Sequence, residues 1–156
     1  MKEYGFFYRL VERAREHSAF LFHFNAGACN GCDIELVSCL TPRYDVEQYG
    51  IRLEASPRHA DIFVVSGPIT RATRRPLELV YNQLPDPKVV VAIGNCPATG
   101  NVFCGSPMIE GPLDHIIPVD IYVPGCPPRP FAIIEGIAAA IHKLAGRTLA
   151  GPGGNA

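Results

Sequence analysis

Residues 20–35 read FLFHFNAGACNGCDIE and join a short apolar run to a pair of cysteines. The run at residues 20–24 is almost continuously apolar, which is typical of a strand buried on both faces of a parallel sheet. Cys29 and Cys32 follow it with two residues between them, and Gly27 and Gly31 let the backbone pass close to a bulky group. The stretch therefore predicts a strand followed by a metal-binding loop. Zinc, an iron–sulfur cluster and thiol redox chemistry all fit such a pair.

The rest of the chain alternates between apolar strands and amphipathic helices. Further strands are predicted at residues 44–53, 61–67, 88–94 and 119–123. Helices are predicted at residues 3–15, 33–40, 76–84 and 131–144. Pro76 is expected in the first turn of the third helix, and Gly146 is expected to close the fourth. Such alternation predicts right-handed crossovers and an α/β fold with a parallel sheet of four to five strands and helices on both faces.

The composition indicates one cytoplasmic domain that works with partner proteins. We expect residues 1–150 to form a single α/β domain and the Gly-rich residues 151–156 to form a disordered tail. The 14 Lys and Arg residues balance 15 Asp and Glu residues, and no basic stripe indicates nucleic-acid binding. No apolar run approaches the length of a membrane span, and the polar N-terminus lacks a signal-peptide pattern. The hydrophobic content of 47% indicates that partner subunits cover part of the surface.

Four cysteines are predicted to meet at one edge of the sheet. Cys29, Cys96 and Cys126 each follow the C-terminal end of a predicted strand, and open α/β sheets bind their ligands at that edge. Cys32 shares the loop of Cys29. In a reducing compartment cysteines serve more readily as metal ligands than as structural disulfides. We therefore expect these four thiols to cooperate.

The other two cysteines are assigned differently. Cys39 lies on a predicted helix seven residues after Cys32. At a rise of about 1.5 Å per residue it is roughly 10 Å further along the axis, so we expect a buried residue on the helix face. Cys104 lies in a loop rich in Gly and Pro and remains an alternative to Cys96. The strand directly before Cys96 favours Cys96.

Four thiolates suit either a tetrahedral zinc ion or a [4Fe–4S] cluster. Structural zinc more often joins two local pairs, whereas this chain combines one pair with two isolated cysteines. Pro97 and Pro127 directly follow Cys96 and Cys126, and the Cys-Pro sequence is common in iron–sulfur loops. The spacing favours iron–sulfur and leaves zinc open. A thioredoxin-like role for the first pair would leave the two isolated cysteines unexplained.

Four motifs carry a resemblance to a known family. They are Cys29-x2-Cys32-Asp33-Ile34-Glu35, Ser66-Gly67-Pro68, Ile93-Gly94-Asn95-Cys96 and Val123-Pro124-Gly125-Cys126-Pro127-Pro128-Arg129-Pro130. Within residues 20–144 they closely resemble, in the same order, the small cluster-bearing 20 kDa subunit shared by respiratory complex I and energy-converting [NiFe] hydrogenases. The resemblance implies a flavodoxin-like sheet that carries one [4Fe–4S] cluster. The implied ligands are Cys29, Cys32, Cys96 and Cys126.

One departure from the complex I pattern points to the hydrogenase branch. Complex I members of this family typically carry two adjacent cysteines at the first ligand site, whereas Asn30 and Gly31 separate Cys29 from Cys32 here. This spacing resembles that of the hydrogenase branch, which includes formate- and carbon-monoxide-linked enzymes. The resemblance then implies an electron-relay subunit that performs no bond chemistry, at the cytoplasmic face of the membrane. Its implied partners are a catalytic large subunit, a ferredoxin-like two-cluster subunit and antiporter-like membrane subunits.

Two other functions stay open at this point. One is a complex I-like subunit that relays electrons to quinone. The other is a zinc-stabilised α/β interaction module without redox function.

Four residues near the motifs have roles that can be weighed from the sequence. Glu35 lies one helical turn after Cys32 and either relays protons or stabilises the helix dipole. Arg129 either offsets the charge of a cluster or docks a partner, or it is a plain surface residue. His23 is expected as a core residue with a hydrogen-bond partner, and Asp33 as a helix N-cap.

Overall fold

A five-stranded parallel sheet forms the centre of the molecule within residues 18–150, which are the residues that the computed structural model describes. The strands in this part of the chain are β1 (Ala19–Asn25), β2 (Ile51–Leu53), β3 (Ile62–Ser66), β4 (Ile69–Thr70), β5 (Val89–Ile93), β6 (Ile109–Gly111) and β7 (Ile121–Val123). The main sheet has the order β2-β1-β3-β5-β7, and β4 pairs with β6 in a separate antiparallel ladder. Counted along the main sheet, this is the 2-1-3-4-5 order of flavodoxin-like folds, so the predicted fold class is confirmed.

Helices cover both faces of the sheet. They are α1 (Gly31–Cys39), α2 (Arg71–Gln83), α3 (Asn95–Thr99) and α4 (Pro130–Ala150). On one face, α1 and α4 pack against alternate side chains of the strands, among them Leu21 and Val64. On the other face, Leu77 of α2 packs against Phe63 and Val65. Burial on both faces explains why the central strands read as continuous apolar runs.

The predicted helix at residues 3–15 and the predicted tail at residues 151–156 lie outside the described residues. Within residues 18–150, no helix combines the length and the apolar character needed to cross a membrane.

Two helix boundaries differ from the sequence prediction. The helix α2 begins at Arg71, because Thr70 caps it: the Thr70 hydroxyl accepts from the Thr73 backbone N–H, and Thr73 Oγ1 accepts from the Thr70 N–H. Pro76 therefore lies inside the helix and not in its first turn. Gly146 does not close α4, which continues to Ala150. A single glycine costs only about 1 kcal/mol in a helix, and the residues after it can continue the helix.

The predicted strand at residues 44–53 is mostly wrong. Val46–Tyr49 form a 3₁₀ turn, and only the three residues of β2 pair with β1. Gly50 separates the two segments with a φ of 81°, a left-handed conformation that glycine adopts without strain.

Candidate metal centre

Three loops that leave the carboxyl edge of the sheet carry the predicted site. Cys29 and Cys32 follow β1, Cys96 follows β5, and Cys126 follows β7. Backbone hydrogen bonds join the last two loops: Gly94 N–H donates to the Val123 carbonyl at 2.8 Å, and Asn95 N–H donates to the Gly125 carbonyl at 2.9 Å. The Asn95 side-chain oxygen accepts from the Gly125 N–H at 2.9 Å in return. These bonds hold the β5 and β7 loops side by side.

The four predicted thiols lie close enough together to act on each other electrostatically. The pKa of Cys32 rises to about 11, first because the thiol is buried and then because of the charges of Cys96, Asp33, Cys29 and Cys126. Three loops that are far apart in the sequence therefore converge on Cys32. This is the convergence that the strand positions predict.

The four thiols differ in how far they are shielded from solvent. Cys32 is buried, Cys96 is half-buried, and Cys29 and Cys126 are exposed. Burial raises the pKa of Cys96, while a hydrogen bond from Asn101 acts in the opposite direction. In residues 18–150, no three His, Cys, Asp or Glu side chains are grouped so that they would hold a metal ion. Two of the four thiols are thus at least partly shielded from solvent, and the other two face it.

The donor set fits an iron–sulfur cluster better than a hard cation, because thiolates are soft ligands. The backbone beside the thiols leaves little room for side chains. A Cβ atom on Gly94 would lie 2.7 Å from Cys32 Sγ, whereas one on Gly31 would make an ordinary contact of 3.6 Å with Cys29 Sγ. Glycine at residue 94 therefore lets the chain pass directly beside the Cys32 sulfur.

The remaining two cysteines do not join this group. Cys39 is fully buried at the end of α1, and its thiol donates to the carbonyl oxygens of Glu35 at 3.3 Å and Pro130 at 3.6 Å. Burial raises its pKa to about 11. The expected buried position of Cys39 on the helix face is confirmed. Cys104 is exposed, and the charges that raise the pKa of Cys32 and Cys96 do not include it.

Asp33 has a different role from the predicted one. The N-cap of α1 is Asn30, and Asp33 lies in the first turn of the helix. The Asp33 carboxylate accepts hydrogen bonds from Ser66 Oγ at 2.5 Å and Asn25 Nδ2 at 2.6 Å, and it lies 2.9 Å from His23 Nε2. Asp33 thus ties the start of α1 to the ends of β1 and β3.

His23 has hydrogen-bond partners, as predicted, but it is only partly buried and does not belong to the hydrophobic core. Its Nε2 atom lies 2.9 Å from Ser66 Oγ and 2.9 Å from the Asp33 carboxylate. Burial lowers the pKa of His23 below its ordinary value, and the nearby Asp33 charge only partly offsets this. His23 is therefore a structural partner of Asp33 and has no thiol contact of its own in the described part of the chain.

Two asparagines at the site were missed by the sequence analysis. Asn25 accepts hydrogen bonds from the backbone N–H groups of Gly27 at 2.9 Å and Ala28 at 2.8 Å, so its side chain fixes the start of the cysteine loop. Asn101 places its amide nitrogen 3.3 Å from Cys126 Sγ and 3.8 Å from Cys96 Sγ. The Asn-x-Gly pattern at residues 25–27 indicates an Asx turn. The adjacent Gly100 and Asn101 indicate a turn with left-handed backbone. Neither pattern reveals that the loops meet.

Glu35 and Arg129 line the same open groove. The groove runs between α1 and the start of α4, and it is lined by Glu35, Ser38, Thr41, Arg43, Tyr44, Arg129, Pro130 and Phe131. Arg129 is exposed and Glu35 is partly buried. Both residues therefore face a polar, open surface on the α1–α4 side.

Comparison with known proteins gives relatives in two kinds of complex. The chain is 58% identical to "Probable membrane-bound hydrogenase subunit mbhJ" of Pyrococcus furiosus over 128 residues, covering 82% of this chain and 77% of that protein. It is 39% identical to a protein of Citrifermentans bemidjiense that is named as a subunit of NADH-quinone oxidoreductase. This second match extends over 136 residues and covers 87% of this chain and 78% of the relative.

A solved structure extends the likeness to the fold. The chain matches a subunit in the structure of the membrane-bound sulfane sulfur reductase, an archaeal respiratory membrane complex, with a TM-score of 0.74 and 37% identity. The match covers 92% of this chain and 77% of that one. A family model described as "NADH ubiquinone oxidoreductase, 20 Kd subunit" matches residues 29–140. The chain therefore belongs to the family of the 20 kDa subunit of NADH ubiquinone oxidoreductase.

Proposed function

We propose that this chain is the electron-relay subunit of a membrane-bound, energy-converting [NiFe] hydrogenase and that it carries one [4Fe–4S] cluster. The observation that supports this most directly is the convergence of four thiols from three loops at one edge of the sheet. A bound cluster would supply one-electron transfer. The chain itself would perform no bond chemistry.

The protein's own residues would hold, shield and orient the cluster. Cys29, Cys32, Cys96 and Cys126 would be its ligands. Their thiols must lose protons when the cluster binds, and the pKa of about 11 at Cys32 makes this costly without metal. Hydrogen bonds to sulfur and burial of the site would set the reduction potential.

The partners follow from the family and from the relatives. The likeness to a probable membrane-bound hydrogenase subunit supports the hydrogenase branch, as does the two-residue spacing of the first cysteine pair. We propose a catalytic large subunit, a ferredoxin-like two-cluster subunit and antiporter-like membrane subunits as neighbours. The chain would then be a peripheral subunit at the cytoplasmic face of the membrane. The complex would evolve hydrogen with electrons from ferredoxin, formate or carbon monoxide.

A second candidate function is electron relay to quinone or to a sulfur compound. The relatives named as a subunit of NADH-quinone oxidoreductase and as part of a sulfane sulfur reductase support it. The third possibility, a zinc-stabilised interaction module, differs in a directly visible property. A zinc protein is colourless, whereas an iron–sulfur protein is brown and its broad absorption bleaches with dithionite.

The first experiment tests the cluster and its ligands. The chain is co-expressed with its neighbouring subunits and purified without oxygen, and iron is measured per chain. Serine replacement of each of the four proposed ligands should abolish or convert the cluster. Cys39→Ser and Cys104→Ser serve as matched controls and should leave the iron content unchanged. A wild-type chain with zinc and no iron would overturn the proposal, and full iron retention in Cys126→Ser would overturn the ligand assignment.

The second experiment decides between the branches. The intact complex is analysed for nickel, and the large subunit is examined for two Cys-x2-Cys pairs that could hold nickel and iron through four thiolates. Nickel together with hydrogen evolution from reduced ferredoxin would support the hydrogenase branch. A complex without nickel and without those pairs would favour the quinone- or sulfur-reducing alternative.

A further inference from the structure

Asn101 lies between the sulfur atoms of two cysteines that come from different loops. Its amide nitrogen is 3.3 Å from Cys126 Sγ and 3.8 Å from Cys96 Sγ. Hydrogen bonds to sulfur are longer than those to oxygen, and the shorter contact is well within their range. One side chain therefore reaches both the β5 loop and the β7 loop at the edge of the sheet where the thiols meet.

The backbone around Asn101 fixes where this amide points. Asn101 has a φ of 49°, and the preceding Gly100 has a φ of 79°. Asparagine is one of the few residues other than glycine that adopts this left-handed conformation readily. The Asn101 N–H donates to Thr99 Oγ1 at 3.2 Å, and the Asn101 carbonyl accepts from the Cys104 N–H at 3.1 Å. The side chain is thus presented from a short, internally bonded turn.

The chemistry of sulfur decides which end of the amide faces the cysteines. A thiolate has only lone pairs to offer, so it accepts and never donates. The amide NH₂ must therefore face the two sulfurs when they are deprotonated. A donor next to a thiolate is stabilising because the acceptor carries negative charge.

We propose that Asn101 raises the reduction potential of the cluster by donating hydrogen bonds to the sulfurs of Cys96 and Cys126. This rests on the proposed function, in which both cysteines are ligands. Reduction adds negative charge to the cluster and its thiolates, and a fixed donor stabilises the reduced state more than the oxidised state. Asn101 is a positioning and tuning residue, because it acts through the two cysteines.

Two substitutions at residue 101 separate the amide from the backbone that carries it. Asn101→Gly removes the side chain and tolerates the left-handed conformation, so the turn is kept. Asn101→Asp keeps the size of the side chain and replaces the donor with a carboxylate. We expect the potential to fall in the order wild type, Asn101→Gly, Asn101→Asp. A tenfold change in the ratio of oxidised to reduced cluster corresponds to about 59 mV for one electron, and we expect a shift of up to that size for the glycine variant.

The measurement is a redox titration of the anaerobically purified complex, followed by electron paramagnetic resonance. The signal of this chain's cluster is identified as the one lost in Cys126→Ser. Iron content is measured on the same samples. Thr99→Ser is the matched control, because it alters the same turn, keeps the hydroxyl that accepts from the Asn101 N–H and so leaves the amide in place. Its potential should stay at the wild-type value.

The outcomes separate this inference from the proposed function. Wild-type iron in all variants with a lowered potential only in the residue 101 variants supports the inference. An unchanged potential in Asn101→Gly, or an equal shift in Thr99→Ser, overturns it and leaves the proposed function intact. Loss of the cluster from both residue 101 variants also overturns it, because the amide would then retain the cluster and not tune it. A wild-type complex with no iron on this chain is a failure of the proposed function itself.

Discussion

Gly94 lies so close to Cys32 that a Cβ atom on residue 94 would be 2.7 Å from the Cys32 sulfur. Gly94 also has φ 90° and ψ 171°, a conformation that is essentially restricted to glycine. We expect Gly94→Ala to displace the Cys32 sulfur, because the β5 backbone cannot move away without breaking the sheet. The iron content of the anaerobically purified complex should fall well below that of the wild type.

Gly105→Ala is the control for this substitution. Gly105 has a φ of 82°, and a Cβ atom there would meet no atom within 4 Å. The left-handed backbone alone should cost about 1–2 kcal/mol of stability. Gly105→Ala should therefore keep its iron. Equal iron loss in both variants would mean that backbone strain, and not contact with the sulfur, is responsible.

The parts of the fold that depend on local pattern could be predicted from the sequence. The apolar runs at residues 61–67 and 88–94 became β3 and β5, because both faces of these strands are buried. The end of α4 was missed, because the cost of one glycine is smaller than the gain from continuing the helix. The start of α2 was missed because the cap at Thr70 depends on a reciprocal bond with Thr73, and threonine at that position is a weaker signal than glutamate.

The parts of the site that depend on contacts between loops could be predicted only in outline. Strand ends alone predicted that Cys29, Cys96 and Cys126 share one edge of the sheet. The sequence did not reveal that Asp33 bonds to Ser66, 33 residues away, or that Asn101 bonds to Cys126, 25 residues away. Such partners are set by the paths of loops in space, and no local periodicity records them.

Alkylation of the cysteines should distinguish the proposed ligands from the other two. In the cluster-loaded complex we expect a thiol reagent to modify Cys104, which is exposed in this chain. Cys39 should resist, because it is fully buried and its pKa is raised to about 11. After removal of the cluster, the exposed thiols of Cys29 and Cys126 should become reactive. Peptide mass spectrometry before and after iron removal measures the difference.

Cys39 is the internal control for this alkylation experiment. Cys39 should stay unmodified in both states unless the chain unfolds. Reaction of Cys29 or Cys126 at the same rate with and without the cluster would contradict the ligand assignment.

Asn25→Ala should destabilise the cysteine loop. The substitution leaves the N–H groups of Gly27 and Ala28 without their acceptor and removes one donor from Asp33. We expect a loss of about 0.5–1.5 kcal/mol in the free energy of unfolding, which is the typical net contribution of a hydrogen bond, because these bonds are exposed to solvent. Urea unfolding followed by circular dichroism measures it.

A surface asparagine provides the comparison for Asn25. Asn82 is exposed on α2, and Asn82→Ala should change stability by less than about 0.5 kcal/mol. A loss in Asn25→Ala no larger than in Asn82→Ala would show that water replaces the Asn25 bonds without cost.

His23 should make the stability of the chain depend on pH. Burial lowers the folded-state pKa of His23 below its ordinary value of 6.5, so the unfolded chain takes up a proton first as the pH falls. Neutral His23 makes its full contribution to the free energy of unfolding above pH 6.5. This contribution is lost as the pH falls towards the folded-state pKa. His23→Gln cannot titrate, and its melting temperature should fall less than that of the wild type over this range. If the melting temperatures of the wild type and His23→Gln fell in parallel with pH, His23 would not be the cause of the pH dependence.

Two glycines of the same helix should respond in opposite ways to alanine. A Cβ atom on Gly136 would clash with Val123 Cγ2, so this glycine lets α4 pack directly against β7. Overpacking typically costs about 1–3 kcal/mol, which exceeds the helix-propensity gain of about 1 kcal/mol from alanine. Gly136→Ala should therefore lower the free energy of unfolding.

Gly146 is exposed on α4, and a Cβ atom there would meet no atom within 4 Å. Gly146→Ala should raise the free energy of unfolding by about 0.5–1 kcal/mol, because only the helix-propensity gain remains. Cys126 lies between β7 and α4, so displacement of the helix should also disturb its loop. We therefore expect Gly136→Ala, and not Gly146→Ala, to lower the iron content as well as the stability. Denaturant unfolding and iron analysis of the two variants test this, and stabilisation by Gly136→Ala would disprove the close packing of α4 on Val123.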